Sequence, residues 1–310
     1  MPEIVITEFM DEAAVKLLAA EYDVFYDPGL VDQPQELAGL AAEARALIVR
    51  NRTQVRGALL QAAERLECVG RLGVGLDNID VEACKARGIT VYPATGANDL
   101  AVAEYVIATA MMLLRQAYLS SDAVAAGAWP RQALIGREIS GKVMGLVGFG
   151  AIAREVARRA DALGMSVAAH DPFLADDHPA WKAARNLPLE ALLGEADVIS
   201  LHVPLTDSTR RIIDARAIGR MKKAAVLINA ARGGVVDEEA LCMALREGRL
   251  AGAALDVFEE EPLQAGRGGM FEGLKNLVLT PHIAGVTEES NVRVSHKIAE
   301  NVLKHLGGRS

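Results

Sequence analysis

Three cysteines in 310 residues are too few to hold a fold together. Cys68, Cys84 and Cys242 stand far apart and lack the paired spacing of a metal site, which excludes a disulfide scaffold and a thiolate metal centre. The reading predicts reduced structural thiols in a cytoplasmic protein, with no metal. Positive charge is also in deficit, with 33 Lys and Arg against 41 Asp and Glu, a net charge of -8, and no long basic run. Phosphate backbones are gripped by concentrated basic surface, so no nucleic-acid partner is expected. Long apolar runs are missing too. A bilayer needs about 20 apolar residues in a row, whereas the longest run here, Tyr105 to Leu114, ends at Arg115. No membrane partner is expected, and acidic Glu3 and Glu8 around the first apolar segment argue against a secretory signal.

Aromatic residues make up only 4% of the chain while hydrophobic residues make up 51%, so the apolar content is mostly Ala, Val and Leu. Small aliphatic residues suit sheets covered on both faces by closely packed helices. The length fits about two domains. Short apolar runs at Ile4–Ile6, Val24–Tyr26, Ala46–Val49, from Cys68, and Ile89–Val91 read as strands. Amphipathic stretches at Asp11–Ala20, Gln33–Ala42, Val55–Ala63 and Val81–Ala86 read as the helices between them. Such alternation implies a parallel sheet, because parallel neighbours need crossover connections. After a turn-rich segment at 93–98, a single long helix is predicted from Asp99 to about Ala125. Alternation then resumes, and a last helix from about Glu288 to Leu306 is expected to return to the first module.

The sharpest local signal is Val143-Met-Gly-Leu-Val-Gly-Phe-Gly-Ala-Ile-Ala153. An apolar strand runs into a glycine turn that opens a helix, the context in which G-x-G-x-x-G/A binds a dinucleotide. Gly148 would make the tight turn, Gly150 would let backbone amides approach a pyrophosphate, and Ala153 would seat the helix on the strand. Asp171, at the end of the next strand, would accept the adenosine ribose hydroxyls and repel a 2′-phosphate, selecting NAD over NADP.

In an open α/β sheet, ligands sit outside the carboxyl ends of the strands. His202, Arg232, Asp256 and His282 each follow a predicted strand, with Glu261 shortly after Asp256. Three stretches here, Asn229-Ala-Ala-Arg-Gly-Gly-Val-Val-Asp237, Ala254-Leu-Asp-Val-Phe-Glu-Glu-Glu-Pro262 and Thr280-Pro-His-Ile-Ala-Gly285, resemble the D-isomer-specific 2-hydroxyacid dehydrogenases. The likeness is greatest to the 3-phosphoglycerate dehydrogenase-like branch. Arg71-Leu-Gly-Val-Gly-Leu-Asp-Asn-Ile-Asp80, Asn98-Asp-Leu-Ala-Val-Ala-Glu104 and His202-Val-Pro-Leu-Thr206 extend it.

That resemblance implies two doubly wound parallel-sheet α/β domains. A Rossmann NAD-binding domain (98–286) would be inserted into a flavodoxin-like substrate domain (1–97 and 287–310). It implies His282 as the acid that protonates a keto oxygen as hydride arrives, and as base in reverse. Glu261 would hold the imidazole and favour its charged form. Arg232 would grip the substrate carboxylate, work suited to a planar, permanently charged fork. Asp256 would meet the nicotinamide carboxamide. Gly148, Phe149, Gly150, Ala151, Ile152, Asp171, Val203, Pro204, Thr209, Ala230, Ala231 and Gly285, together with Arg232, Asp256 and His282, would line the cofactor. Val74 and Gly75 would offer amides to the substrate carboxylate, with Asn98 beside them. The sequence departs from the family pattern at Ala153, where a third glycine is usual, and in the Gly-rich connection Gln264–Gly269, which looks longer than usual.

Substrate choice rests on Arg52 and Arg131. If both reach the substrate, it carries a second anion, as in 3-phosphoglycerate or sulfolactate. If neither does, an uncharged tail follows, as in glycerate, glyoxylate or lactate. The alternatives are a non-catalytic NAD(H)-responsive binding protein on the same fold, or a dehydrogenase of another small anion such as formate or phosphite. A homodimer through the Asp99–Ala125 region is expected from the family.

Overall fold

A computed structural model describes residues 1–308, with Leu119 described by its backbone alone. The chain divides into two compact units, Met1–Asn98 with the segment from Val286 onward, and Asp99–Gly285. The expected substrate domain was drawn to residue 310, and its last two positions lie outside the described residues.

The first unit carries β1 (Ile4–Ile6), α1 (Glu12–Ala19), β2 (Val24–Tyr26), α2 (Pro34–Ala41), β3 (Ala46–Val49), α3 (Gly57–Ala62), β4 (Cys68–Arg71), α4 (Val81–Ala86) and β5 (Thr90–Pro93). Its five parallel strands lie in the order β2-β1-β3-β4-β5, the flavodoxin-like arrangement. Side chains alternate across each strand, so both faces must find cover. Ile4, Ile6 and Ile48 pack with Leu18, Ile298 and Val302, whereas Val5, Leu47 and Val49 pack with Leu37 and Leu60. Ile298 and Val302 belong to the closing helix (Glu288–Gly307), which returns to this unit as expected. Gly70 on β4 admits it: a Cβ there would lie 2.5 Å from Ile298 Cγ2.

The second unit opens with α5 (Asp99–Arg115) and α6 (Ser121–Ala125). The predicted continuous helix is therefore corrected. Gln116 takes φ 57, the left-handed region that ends an α-helix, and a 3-10 turn at Ala117–Ser120 separates the two pieces. The α/β alternation continues as β6 (Val143–Val147), α7 (Ala151–Ala162), β7 (Ser166–His170), β8 (Arg185–Asn186), α8 (Leu189–Glu195), β9 (Val198–Leu201), α9 (Ala215–Arg220), β10 (Val226–Asn229), α10 (Glu238–Arg246), β11 (Gly252–Leu255), α11 (Ala265–Gly268) and β12 (Leu277–Leu279). The sheet order is β12-β11-β10-β9-β6-β7-β8, all parallel. Counted from β6, this is the Rossmann order 3-2-1-4-5-6 with one further strand. One face packs Leu146, Ile228 and Ala254 against Val106 and Leu113 of α5 and Val156 of α7. The other packs Val147, Leu201, Leu227 and Leu255 against Leu192, Ile218 and Leu241.

Candidate active site

The order of strands in the second unit lays out a long ligand. Strand order reverses at β6: β7 and then β8 are added on one side of it and β9 to β12 on the other, and ligands bind at such a switch point. Gly148 leaves β6 with φ +89, and a Cβ there would lie 2.6 Å from the His202 carbonyl oxygen at the end of β9. Both its conformation and its contact require glycine. A Cβ on Gly150 would meet no protein atom, so the reason for glycine there lies on the ligand side. Gly150 caps α7 without any side-chain bond, leaving the first turn's N–H groups to face an anion. Asp171, just beyond β7, accepts the Phe149 amide on Oδ2 at 2.9 Å and the Phe173 amide on Oδ1 at 3.0 Å. It caps its own turn and braces the glycine turn at once. These residues fit a dinucleotide: a cradle open above Gly150, a free helix start, and a carboxylate at the adjacent strand end. Ala151 and Ile152 form the first turn of that helix.

Two of the residues expected at the cofactor also make internal contacts. Phe149 is fully buried and stacks on Trp181, ring centroids 5.2 Å apart, and its amide is held by Asp171. The ring thereby supports the turn. The Thr209 hydroxyl donates to Pro204 O at 2.6 Å and accepts from the Thr206 amide at 2.8 Å, which closes the loop after β9 on itself. Val203, in that loop, comes within 3.0 Å of the position of a Gly148 Cβ. His202 is half-buried by surface area, yet burial pushes its imidazole down to about 4, and its Nε2 meets Ser200 Oγ at 2.9 Å. It is a neutral histidine held by Ser200.

Across the sheet, β10, β11 and β12 are neighbours, so the loops leaving them are brought together. The β10 loop carries Ala230, Ala231 and Arg232. It is pinned by Asn229, whose Nδ2 donates to Arg232 O at 2.9 Å and whose Oδ1 accepts the Ala231 amide at 3.1 Å. Arg232 Nη1 donates to Ala231 O at 2.5 Å. The β10 and β11 loops touch through backbone, since a Cβ on Gly233 would fall 1.7 Å from Phe258 O.

From β11, Glu261 reaches the histidine that follows β12: His282 Nδ1 and Glu261 Oε2 are 2.7 Å apart. The other oxygen, Oε1, accepts the Phe258 amide at 3.0 Å. Burial pulls the Glu261 carboxyl upward. The His282 bond, the Phe258 amide and the charges of His282 and Arg232 outweigh it and hold the group below its ordinary value. His282 itself sits at φ 55, unusual for a residue with a side chain. Its amide is fixed there by Asp256 O at 2.8 Å.

Asp256 is 1% exposed. Its Oδ1 accepts Thr280 Oγ1 at 2.5 Å and the Ile283 amide at 2.9 Å, and its Oδ2 accepts the Ala284 amide at 2.8 Å. The carboxylate therefore holds the histidine loop, a role the sequence reading missed when it gave Asp256 only a nicotinamide contact. Thr280 is held in turn by Tyr105 Oη at 2.7 Å. Gly285 ends the same loop.

Residues 107–284 match the family model described as "D-isomer specific 2-hydroxyacid dehydrogenase, NAD binding domain". The (S)-sulfolactate dehydrogenase of Chromohalobacter salexigens is 54% identical over 311 residues, covering 100% of each chain. The chain belongs to the D-isomer specific 2-hydroxyacid dehydrogenases. Another relative, the hydroxypyruvate reductase of Thermotoga maritima, is 38% identical and covers 96% of each chain. Among solved structures, the TT0316 protein from Thermus thermophilus superposes with a TM-score of 0.89 at 35% identity, covering 98% of this chain and 97% of its own. The protein is thus an NAD-dependent oxidoreductase acting on the CH–OH group of 2-hydroxy acids, with the Rossmann and flavodoxin-like architecture that the sequence implied.

In the first unit, Arg52 and Arg50 are held by different partners. Arg52 turns onto Asp32, with Nη1 3.2 Å from Oδ2 and Nη2 also on that carboxylate, and its side chain is 56% exposed. Arg50, two residues earlier, was passed over in the sequence. It is half-buried, its Nη2 donates to Asn291 Oδ1 at 3.1 Å, and its guanidinium lies 5.7 Å from the Phe9 ring centroid. Burial pulls its pKa down against the opposing charge of Glu8. Glu8 is the organiser here: it is 5% exposed, and its carboxylate accepts the amides of Arg50, Arg52 and Thr53. Val74 and Gly75 follow β4, half-buried, and Asn98 keeps its Oδ1 buried. Arg131 lies exposed in a turn. Among the described residues no cluster of His, Cys, Asp or Glu could hold a metal, and no helix is long and apolar enough to cross a membrane.

Proposed function

We propose that this dehydrogenase oxidises a 2-hydroxy acid bearing a second, sulfonate anion on carbon three, the sulfolactate class, to the corresponding 2-keto acid. The chemistry is carried by one observation, the 2.7 Å contact between His282 Nδ1 and Glu261 Oε2 beside the Arg232 loop. Substrate choice is supported by the full-length 54% identity to a sulfolactate dehydrogenase, against 36–39% to the phosphoglycerate dehydrogenases. It is also supported by the half-buried Arg50, which adds a desolvated cation to the Arg52 of the sequence reading.

Arg232 binds the substrate carboxylate through its fork and draws electron density from the neighbouring carbon. His282 accepts the hydroxyl proton through Nε2 while Nδ1 faces Glu261. The carboxylate of Glu261 stabilises the imidazolium that forms, and the imidazolium returns the proton in reverse. NAD, when bound, supplies the acceptor for the hydride leaving carbon two. Gly148, Gly150, Asp171 and the β9 and β10 loops orient it, and near-contact geometry is what that orientation secures. Val74, Gly75 and Asn98 are proposed to add contacts to the substrate carboxylate, and Arg50 with Arg52 to meet the second anion. Arg131 is proposed to approach the same anion.

A homodimer through the Asp99–Ala125 region belongs to the same reading. Leu100, Met111, Tyr118 and Val124 there are exposed, with Trp129 (74% exposed) and Ile135 just beyond, more apolar surface than one segment of a monomer commonly shows. A cytoplasmic location is supported by three buried free thiols.

The test is NADH formation with sulfolactate, 3-phosphoglycerate, glycerate and lactate, in the wild type and in Arg50→Ala. Sulfolactate should lead the others in kcat/KM by at least about tenfold, and Arg50→Ala should remove most of that lead by raising KM. Equal use of lactate and sulfolactate would overturn the second-anion reading. No turnover of any 2-hydroxy acid would overturn the whole.

A further inference from the structure

The Glu261–His282 pair and the Arg232 loop meet at one peptide, Phe258–Glu259, and every face of that peptide is engaged. Its carbonyl lies against Gly233, where a Cβ would be 1.7 Å from Phe258 O. The N–H before it, of Phe258, is bonded to Glu261 Oε1 at 3.0 Å. The N–H after it, of Glu259, donates to Glu238 Oε1 at 2.7 Å. Glu238 is the first residue of α10 and is 4% exposed, where an acidic residue in a helix's first turn ordinarily meets solvent. Its helix is capped by Asp237, whose side chain accepts the Ala240 amide at 3.0 Å, so capping does not explain Glu238. Its second oxygen, Oε2, is buried with no hydrogen-bond partner. Burial raises its pKa, and the nearby Glu259 charge adds to that. A buried carboxyl so placed costs stability unless the bond it makes is needed.

We infer that Glu238 is a positioning residue for the reaction: it fixes the Phe258–Glu259 peptide, and through it the angle at which Glu261 meets His282. The inference rests on the dehydrogenase reading above. The rest of the clamp acts on the Glu259 side chain. Arg211 Nη2 reaches Glu259 Oε1 at 3.2 Å, and Arg267 Nη2 reaches Oε2 at 2.5 Å. Arg267 comes from the Gly-rich connection that set this sequence apart. That connection folds as α11 and sends a cation back to the loop that bears the catalytic carboxylate. Phe258 completes the seat from below, edge-on to Phe271 with ring centroids 5.9 Å apart.

Two variants separate reach from charge. Glu238→Gln keeps the acceptor oxygen in place, whereas Glu238→Asp keeps the carboxyl and withdraws it by one methylene. With sulfolactate and NAD, Glu238→Asp should lower kcat roughly tenfold with KM for NAD unchanged, since small misplacements near the reacting groups are costly. Glu238→Gln should stay within about twofold of wild type. A second readout needs no turnover: the ring resonances of His282, assigned by His282→Asn, followed by NMR across a pH series in each variant. Glu238→Asp should displace the His282 titration from that of the wild type, and Glu238→Gln should not. A Glu238→Asp variant that melts earlier but keeps the wild-type titration and kcat would overturn the inference. So would a Glu238→Gln variant as impaired as Glu238→Asp. If no 2-hydroxy acid is turned over, the NMR arm still decides the positioning role, and only the functional reading fails.

Discussion

His282 Nδ1 lies 2.7 Å from one oxygen of Glu261 while the other oxygen is held by the Phe258 amide, so the carboxylate cannot rotate away from the ring. This fixes Nε2 as the nitrogen left to exchange a proton with substrate. His282→Ala should lower kcat in both directions by about 10²–10⁴, with NADH affinity, read by fluorescence titration, within about twofold of wild type. Because the Glu261 carboxyl is held below its ordinary value, it stays charged through the neutral range and its support is lost only in acid. The working groups then give opposite slopes. Keto-acid reduction needs the imidazolium and should weaken as pH rises, whereas hydroxy-acid oxidation needs the neutral ring and should strengthen. Parallel slopes in the two directions would rule out His282 as the proton carrier.

The two glycines of the dinucleotide turn should fail differently. Gly148→Ala puts a Cβ 2.6 Å from the His202 carbonyl at φ +89, a clash with backbone across the switch point. The variant should lose several degrees of melting temperature as well as NAD affinity. Gly150→Ala meets no protein atom, so it should fold as well as wild type and still bind NAD at least about tenfold more weakly. Calorimetric melting with NAD titration checks both. A Gly150→Ala variant with undiminished affinity would place the pyrophosphate elsewhere.

Much of this was legible because parallel strands announce themselves. Runs such as Val198–Leu201 and Val226–Asn229 are buried throughout, and the loop leaving each of them sits at the ligand edge. The dinucleotide turn and the strand-end candidates Arg232, Glu261 and His282 stood out for that reason, while the roles given to those three came from the family resemblance. The misses share one cause: they depend on distant partners. Gln116 carries no turn signature, and only the structure shows the left-handed residue that splits the predicted helix. Nothing next to Phe149 in sequence shows that its ring is buried against Trp181, far along the chain. Arg50 and Arg52 are indistinguishable in sequence. Asp32 claims one, and Phe9 with Asn291 receives the other. Nothing local reveals that Glu8 and Glu238 are buried, the first accepting three backbone amides and the second one.

Asp171 does two jobs, and its variants should show both. Removing the carboxylate with Asp171→Ala relaxes selection against a 2′-phosphate, so the NAD-to-NADP ratio of kcat/KM should fall by about tenfold or more. It also frees the Phe149 and Phe173 amides, so absolute activity with NAD should drop as well. Asp171→Asn retains an acceptor oxygen and should preserve more of the NAD activity than Asp171→Ala. An unchanged cofactor ratio in both variants would show that selection lies outside this strand end.

His202 sets an acid limit on the fold. Its imidazole is pushed down to about 4 by burial, from an ordinary value of 6.5. Its folded value lies below its unfolded one, so the unfolded chain binds a proton that the fold refuses. The stability that depends on the neutral ring is therefore fully present above pH 6.5 and is lost as pH falls from there toward 4. His202→Asn cannot take up that proton and can still face Ser200, which meets the ring at 2.9 Å in the wild type. Its melting temperature should be lower than wild type at pH 7.5 and should fall less steeply below pH 6.5, so the two curves converge in acid. Other carboxyls, Glu261 among them, titrate in both proteins and cancel in the comparison. Parallel melting curves across that window would mean that the ring is solvated enough to protonate within the native structure.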